Sequence, residues 1–201
     1  MKLAELGWVL GDESSDECEL IEQGLVGTSL NISSSGSFDT INIQDLTGLE
    51  AFPRLEELTL AGLTATSLDL SLVRTLKTLK ANRVHHLAWL KVGENLKDVD
   101  FTGEYYDYFE VTQLSIAGPG VETIKANSSS YYISIGDEKL ATINVTGCPA
   151  LKTLQAKREC DMFGMIDCCL NTIYVTATQK AAIDAETLTV EKSDKTSIAV
   201  K

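Results

Sequence analysis

Leu55-Glu56-Glu57-Leu58-Thr59-Leu60, Ser67-Leu68-Asp69-Leu70-Ser71 and Leu76-Lys77-Thr78-Leu79-Lys80-Ala81 carry one short apolar phrase at nearly constant spacing. Self-similarity of this kind marks a stacked repeat. Within each phrase the apolar residues stand two apart, the period of a strand with one buried face. A third apolar residue stands three positions upstream, where the chain turns onto the same core.

The paired positions fall into two series. The first is Leu58/Leu60, Leu79/Ala81, Val99/Phe101, Ile124/Ala126 and Ile143/Val145. The second is Leu68/Leu70, Leu90/Val92, Leu114/Ile116, Ile133/Ile135 and Leu154/Ala156. The upstream residues are Leu55, Leu76, Leu96, Val121 and Leu140 in the first series, and Leu87 and Leu151 in the second. Neighbouring phrases lie about ten residues apart, so one circuit takes about 20–22 residues. The pattern predicts a β-rich solenoid with two short strands per circuit, little helix and a cap at each end. A lone circuit buries too little to offset the entropy of ordering it, so neighbouring circuits must supply the remainder. Asn82 and Asn127 follow the matching phrases Leu79-Lys80-Ala81 and Ile124-Lys125-Ala126 and are expected to satisfy backbone groups at turns.

The division follows from where the phrase starts and fades. Residues 1–53 read as an N-terminal cap and first strands, 54–175 as the solenoid and 176–201 as a C-terminal cap, all in one domain. In the first part an acidic helix is expected to begin near Ser14 or Ser15, and Leu30/Ile32 and Ile41/Ile43 alternate as strands. Thr47 is placed to cap a brief helical turn that Pro53 stops. In the last part Thr178–Ala185 suits a short helix. Leu188/Val190 and Ile198/Val200 alternate as strands, with a hairpin turn expected at Ser193-Asp194-Lys195.

Composition narrows the function classes. The 201 residues hold 29 acidic against 17 basic side chains, a formal net charge of −12. Such a chain repels polyanions, which argues against nucleic acid and anionic membrane surfaces as partners. No apolar run approaches the length that spans a bilayer. Met1–Trp8 is broken by Glu5 and does not read as a signal-peptide core; a leader that was removed and one that never existed are both compatible with it. Cysteines number five, an odd count that suits small apolar core residues better than a disulfide framework. Cys160 with Cys168 or Cys169 is the pairing open to an oxidising compartment.

The repeat resembles the bacterial leucine-rich repeat proteins, particularly surface proteins of Bacteroidetes. The residues that carry the resemblance are Asp45-Leu46-Thr47-Gly48-Leu49-Glu50-Ala51-Phe52, Thr66-Ser67-Leu68-Asp69-Leu70-Ser71 and Thr146-Gly147-Cys148-Pro149-Ala150-Leu151-Lys152-Thr153-Leu154. Asn171-Thr172-Ile173-Tyr174-Val175 with Gln179-Lys180-Ala181-Ala182 is similar to the closing segment of that family. The likeness covers about residues 28–185. It implies a solenoid with a parallel sheet, a secreted or cell-surface setting, a surface for partner recognition, and no shared catalytic residues. The chain departs from the family in lacking most of its asparagine ladder and in the long circuit from Leu96 to Val121.

That long circuit holds Gly103-Glu104-Tyr105-Tyr106-Asp107-Tyr108-Phe109-Glu110. Aromatic rings beside carboxylates on a displayed loop suit protein or sugar recognition. Equally, the rings can simply cover an irregular circuit. Tyr131 and Tyr132 follow one circuit later, and His85, His86 and Trp89 precede it at the corresponding turn. Tyr105, Tyr106, Asp107, Tyr108, Phe109, Tyr131, Tyr132, His85, His86 and Trp89 are therefore the candidate ligand-binding residues, expected on one edge. Adjacent histidines diverge, and no third ligand has a metal-site spacing, so neither a metal nor a cofactor is expected. No nucleophile elbow or glycine-rich phosphate loop supports an enzyme. The expected function is non-catalytic protein recognition or adhesion. Carbohydrate binding through 104–110, a structural spacer and a hydrolase using His85 or His86 are the alternatives.

Overall fold

The computed structural model describes residues 27–33, 46–102, 108–127, 138–158, 160–162, 165–167 and 170–201. These form a β-solenoid of about five turns with parallel strands and little helix. One wall is a seven-stranded sheet of β1 (Ser29–Ser33), β2 (Glu57–Ala61), β4 (Thr78–Asn82), β6 (Asp98–Asp100), β8 (Thr123–Lys125), β10 (Thr153–Gln155) and β14 (Thr189–Glu191), in that spatial order. The other is a six-stranded sheet of β3 (Ser67–Leu70), β5 (Trp89–Val92), β7 (Gln113–Ala117), β9 (Thr142–Gly147), β13 (Thr172–Val175) and β15 (Ser197–Val200). Two short strands, β11 (Cys160–Met162) and β12 (Met165–Asp167), pair antiparallel outside both walls. From β2 onward the chain thus crosses from the seven-stranded to the six-stranded sheet and back once per turn.

Register follows the apolar phrase. Leu58, Leu79, Val99, Ile124, Leu154 and Val190 are successive partners across the seven-stranded sheet. Leu114, Ile143, Ile173 and Ile198 are partners across the other. The inward residues of both walls meet in one core, and the upstream residues Leu55, Leu76, Leu87, Leu96, Val121 and Leu140 are buried with them. A slip by one residue would turn each strand's apolar set to solvent, so the alternation itself fixes the pairing.

Three expectations are corrected. Ile143/Val145 lies in the six-stranded sheet and Leu154/Ala156 in the seven-stranded one, the reverse of the predicted assignment. The chain leaves the seven-stranded sheet at Lys125 and enters the other at Thr142 in a single passage. Counting Ile133/Ile135 as a half-turn therefore put every later phrase out of phase; those two residues lie outside the described ones. Second, residues 188–200 form no hairpin. β14 and β15 extend different sheets in parallel, so this segment adds a further turn to the stack. Third, the N-cap position of the helical turn at Leu49–Ala51 is held by Gly48 and not by Thr47; its φ of 110° is one that only glycine adopts without strain. The expected helix near Ser14 and the strand at Ile41/Ile43 lie outside the described residues.

The C-terminal helix α1 (Ala177–Asp184) matches its expected position within a residue. Thr176 Oγ1 accepts from the Gln179 amide at 3.1 Å, and Gln179 Oε1 accepts from the Thr176 amide at 2.8 Å, a reciprocal cap. The Gln179 side chain also donates to the carbonyls of Val145 and Cys148, at 3.0 and 2.8 Å, which ties the helix to the solenoid.

Candidate functional site

The two edges of the solenoid are built differently. On one, the chain returns from the six-stranded to the seven-stranded sheet through four short turns, 71–77, 93–97, 118–122 and 148–152, and last through 176–188, which carries α1. The short turns stack in close contact. A Cβ on Gly120 would stand 1.7 Å from the Glu94 carbonyl oxygen, and one on Gly147 2.8 Å from the Cα of Ala117. On the other edge the connections run through 62–66 and 83–88, then lengthen to 101–112, 126–141 and 156–171, and shorten again to 192–196. Because successive turns stack, the roots of the three long connections lie side by side.

The described roots of this edge are joined turn to turn. The Glu110 amide donates to the His85 carbonyl at 2.8 Å, and the Lys139 amide donates to the Phe109 carbonyl at 2.8 Å. His85 stacks on Tyr108 with ring centroids 4.0 Å apart and 26° between planes. His86 Nδ1 lies 3.7 Å from Glu110 Oε2, an attraction that acts only when the imidazole is protonated. Trp89 opens β5 directly after this turn, faces outward between Ser67 and Ser115, and is 39% exposed.

The structure therefore gathers His85, His86 and Tyr108 around the 83–88 turn, with Trp89 at the start of the adjoining strand. Tyr105, Tyr106, Asp107, Tyr131 and Tyr132 lie outside the described residues, as do Cys168 and Cys169 and the side chain of Cys160. Phe109, expected among the surface aromatics, is buried: it meets Phe101 edge-on at 5.9 Å between centroids. It faces inward because it has the role of the repeat's apolar residues, holding the long connection to the core. Asn127 takes its expected part, its Oδ1 accepting from the Lys157 amide of the next turn at 2.6 Å. The Asn82 Oδ1 is buried without a hydrogen-bond partner.

Sequence reasoning missed Glu138 and Arg158. Both are buried and form an ion pair. Arg158 Nε and Nη2 both donate to Glu138 Oε2, the former at 3.0 Å, and Nη1 donates to the Ala126 carbonyl at 2.8 Å. Its guanidinium also lies 5.0 Å from the centroid of Phe109. Glu138 Oε1 accepts from the Leu140 amide at 2.9 Å. A signal was present: Leu154, Ala156 and Arg158 continue one period-two alternation, which points the arginine inward.

Elsewhere the chemistry is quiet. Cys148 is a free, buried thiol whose pKa is pushed up to about 11 by burial, the behaviour of an inert core residue. Ser71, Arg74, Lys91, Glu94 and Pro119 border an open groove on the short edge, where Lys91 is engaged with Asp69 at 3.0 Å. Among the described residues no group of histidines, cysteines and carboxylates is placed to hold a metal ion, and no helix is long and apolar enough to cross a membrane. Comparison with protein-family models, characterised proteins and solved structures finds no match for this chain.

Proposed function

We propose that the protein is a non-catalytic recognition module of the leucine-rich repeat type, exported to a bacterial surface, that binds a protein partner. The partner contacts the edge where the connections lengthen. One observation carries this reading: three consecutive turns have long connections rooted on one edge, beside the exposed Trp89 and the His85–Tyr108 stack, while the matching returns on the opposite edge, 93–97, 118–122 and 148–152, are five residues each. Displayed loops on a rigid scaffold, with aromatic residues at their base, are how repeat proteins build contact surfaces. The resemblance of the repeat phrases to bacterial leucine-rich repeat proteins supports the setting.

The test is capture of a partner from bacterial and host surface extracts, compared between two variants. His86→Ala with Trp89→Ala changes the long edge; Leu72→Ala with Arg74→Ala changes exposed residues of the short one. Loss of one captured band in the first variant alone supports the reading. Loss in the second alone, or in neither, contradicts it. A glycan array run in parallel covers the carbohydrate alternative, and a blank in every format favours a spacer.

A further inference from the structure

We propose that Arg158 is the positioning residue of the long edge, fixing the geometry of the His85–His86 cluster from three turns away without touching it. The inference builds on the recognition reading above, but its core is a statement about coupling that can be tested alone.

Arg158 belongs to the 156–171 connection and holds three groups of its neighbours at once: the Glu138 carboxylate, the Ala126 carbonyl and the face of Phe109. Glu138 and Ala126 are the two roots of the 126–141 connection. Phe109 is the root of the 101–112 connection, and its carbonyl accepts from Lys139, the residue after Glu138. On either side of Phe109 stand the two residues that reach the 83–88 turn, Tyr108 stacking on His85 and Glu110 bonding to the His85 carbonyl and facing His86. One buried guanidinium therefore sets the base of all three long connections, and through Phe109 it sets the aromatic cluster. A buried pair is weak evidence for stability, because apolar residues of similar size often serve as well. Its value here is directional. A guanidinium has donors in a fixed fork, which specify where Glu138 and Ala126 lie in a way that an apolar filler does not.

His85 and His86 are the chain's only two histidines, so their side-chain NMR signals report the cluster without interference. The decisive variant is Arg158→Met with Glu138→Leu, which leaves no buried charge unpaired; Arg158→Lys is its companion. The expected result is a cooperatively unfolding protein in which the Tyr108 ring-current shift on His85 is lost or much reduced in the double variant and partly kept with lysine. Unchanged histidine signals in the folded double variant would overturn the inference. Should neither variant fold, native hydrogen exchange decides: the Glu110 and Lys139 amides are expected to open together as one unit, and openings that differ more than about tenfold in population overturn the inference equally. Capture of the surface-extract band by the double variant separates the two claims. Shifted histidine signals with capture intact leave Arg158 a positioning residue and count against the recognition reading.

Discussion

The short edge and the long edge of this solenoid are made of the same repeat and solve different problems. At the short edge, turns 93–97, 118–122 and 148–152 stack so closely that glycine is needed where backbones meet, and polar side chains bond to the neighbouring turn, as Asn95 Nδ2 does to the Arg74 carbonyl at 2.7 Å. At the long edge the described roots are joined turn to turn by backbone bonds, as at Glu110 to His85 and Lys139 to Phe109, while the lengths of the connections differ from turn to turn. Stability in a stacked repeat is mostly a nearest-neighbour property. One edge can therefore maintain the stack while the other changes length.

The largest expected effect lies at the root of the long edge. Arg158→Met alone leaves Glu138 buried without its cation and should cost about 3–5 kcal/mol, read by denaturant unfolding. Adding Glu138→Leu should restore most of that loss. If the single and double variants are equally destabilised, the arginine is valued for its packing and not for its charge. Next comes Gly120→Ala, which forces a Cβ against the Glu94 carbonyl and should cost about 2–3 kcal/mol or more. By contrast, inserting four glycine and serine residues between positions 103 and 107 should cost below about 1 kcal/mol, because closure entropy grows slowly with loop length. Similar losses from both changes would erase the distinction between the edges.

Smaller effects probe the body between them. Cys148, with a thiol pKa of about 11, should resist alkylation at pH 8 in the folded protein and react once it unfolds, as peptide mass mapping would show. Asp69 is the mildest case. The Ser71 hydroxyl, its amide and Lys91 hold this carboxyl below the ordinary value of 3.8 against a partial opposing effect of burial. Its contribution is therefore complete above the ordinary carboxylate range and is lost as pH falls through the lower folded value. The group is exposed and screened, so the change belongs in an NMR titration more than in a melting curve.

Much of this was legible in the residues, for a physical reason. Apolar alternation with a residue three upstream specifies strand, turn and core together, so the walls could be read at Leu58, Leu68, Leu79 and Leu90 before any coordinates. The phase was lost after Ile124. There a long connection carrying its own alternating pair, Ile133/Ile135, imitates a half-turn, and nothing local distinguishes the two. Phe109 looked like part of a surface aromatic run because burial depends on which turn lies beside it. Arg158 went unread because an inward arginine is intelligible only once Glu138, distant by a whole circuit, is known to face it. The histidine turn and Tyr108 were nameable in advance; that they stack was not.

The most direct test places a photocrosslinking side chain at position 89 on the long edge, and separately at position 74 on the short one, and illuminates each protein with surface extract. The account predicts a specific crosslinked protein from position 89, absent from position 74 and suppressed by excess unlabelled protein. The same crosslink from both positions, or one from position 74 alone, would contradict it.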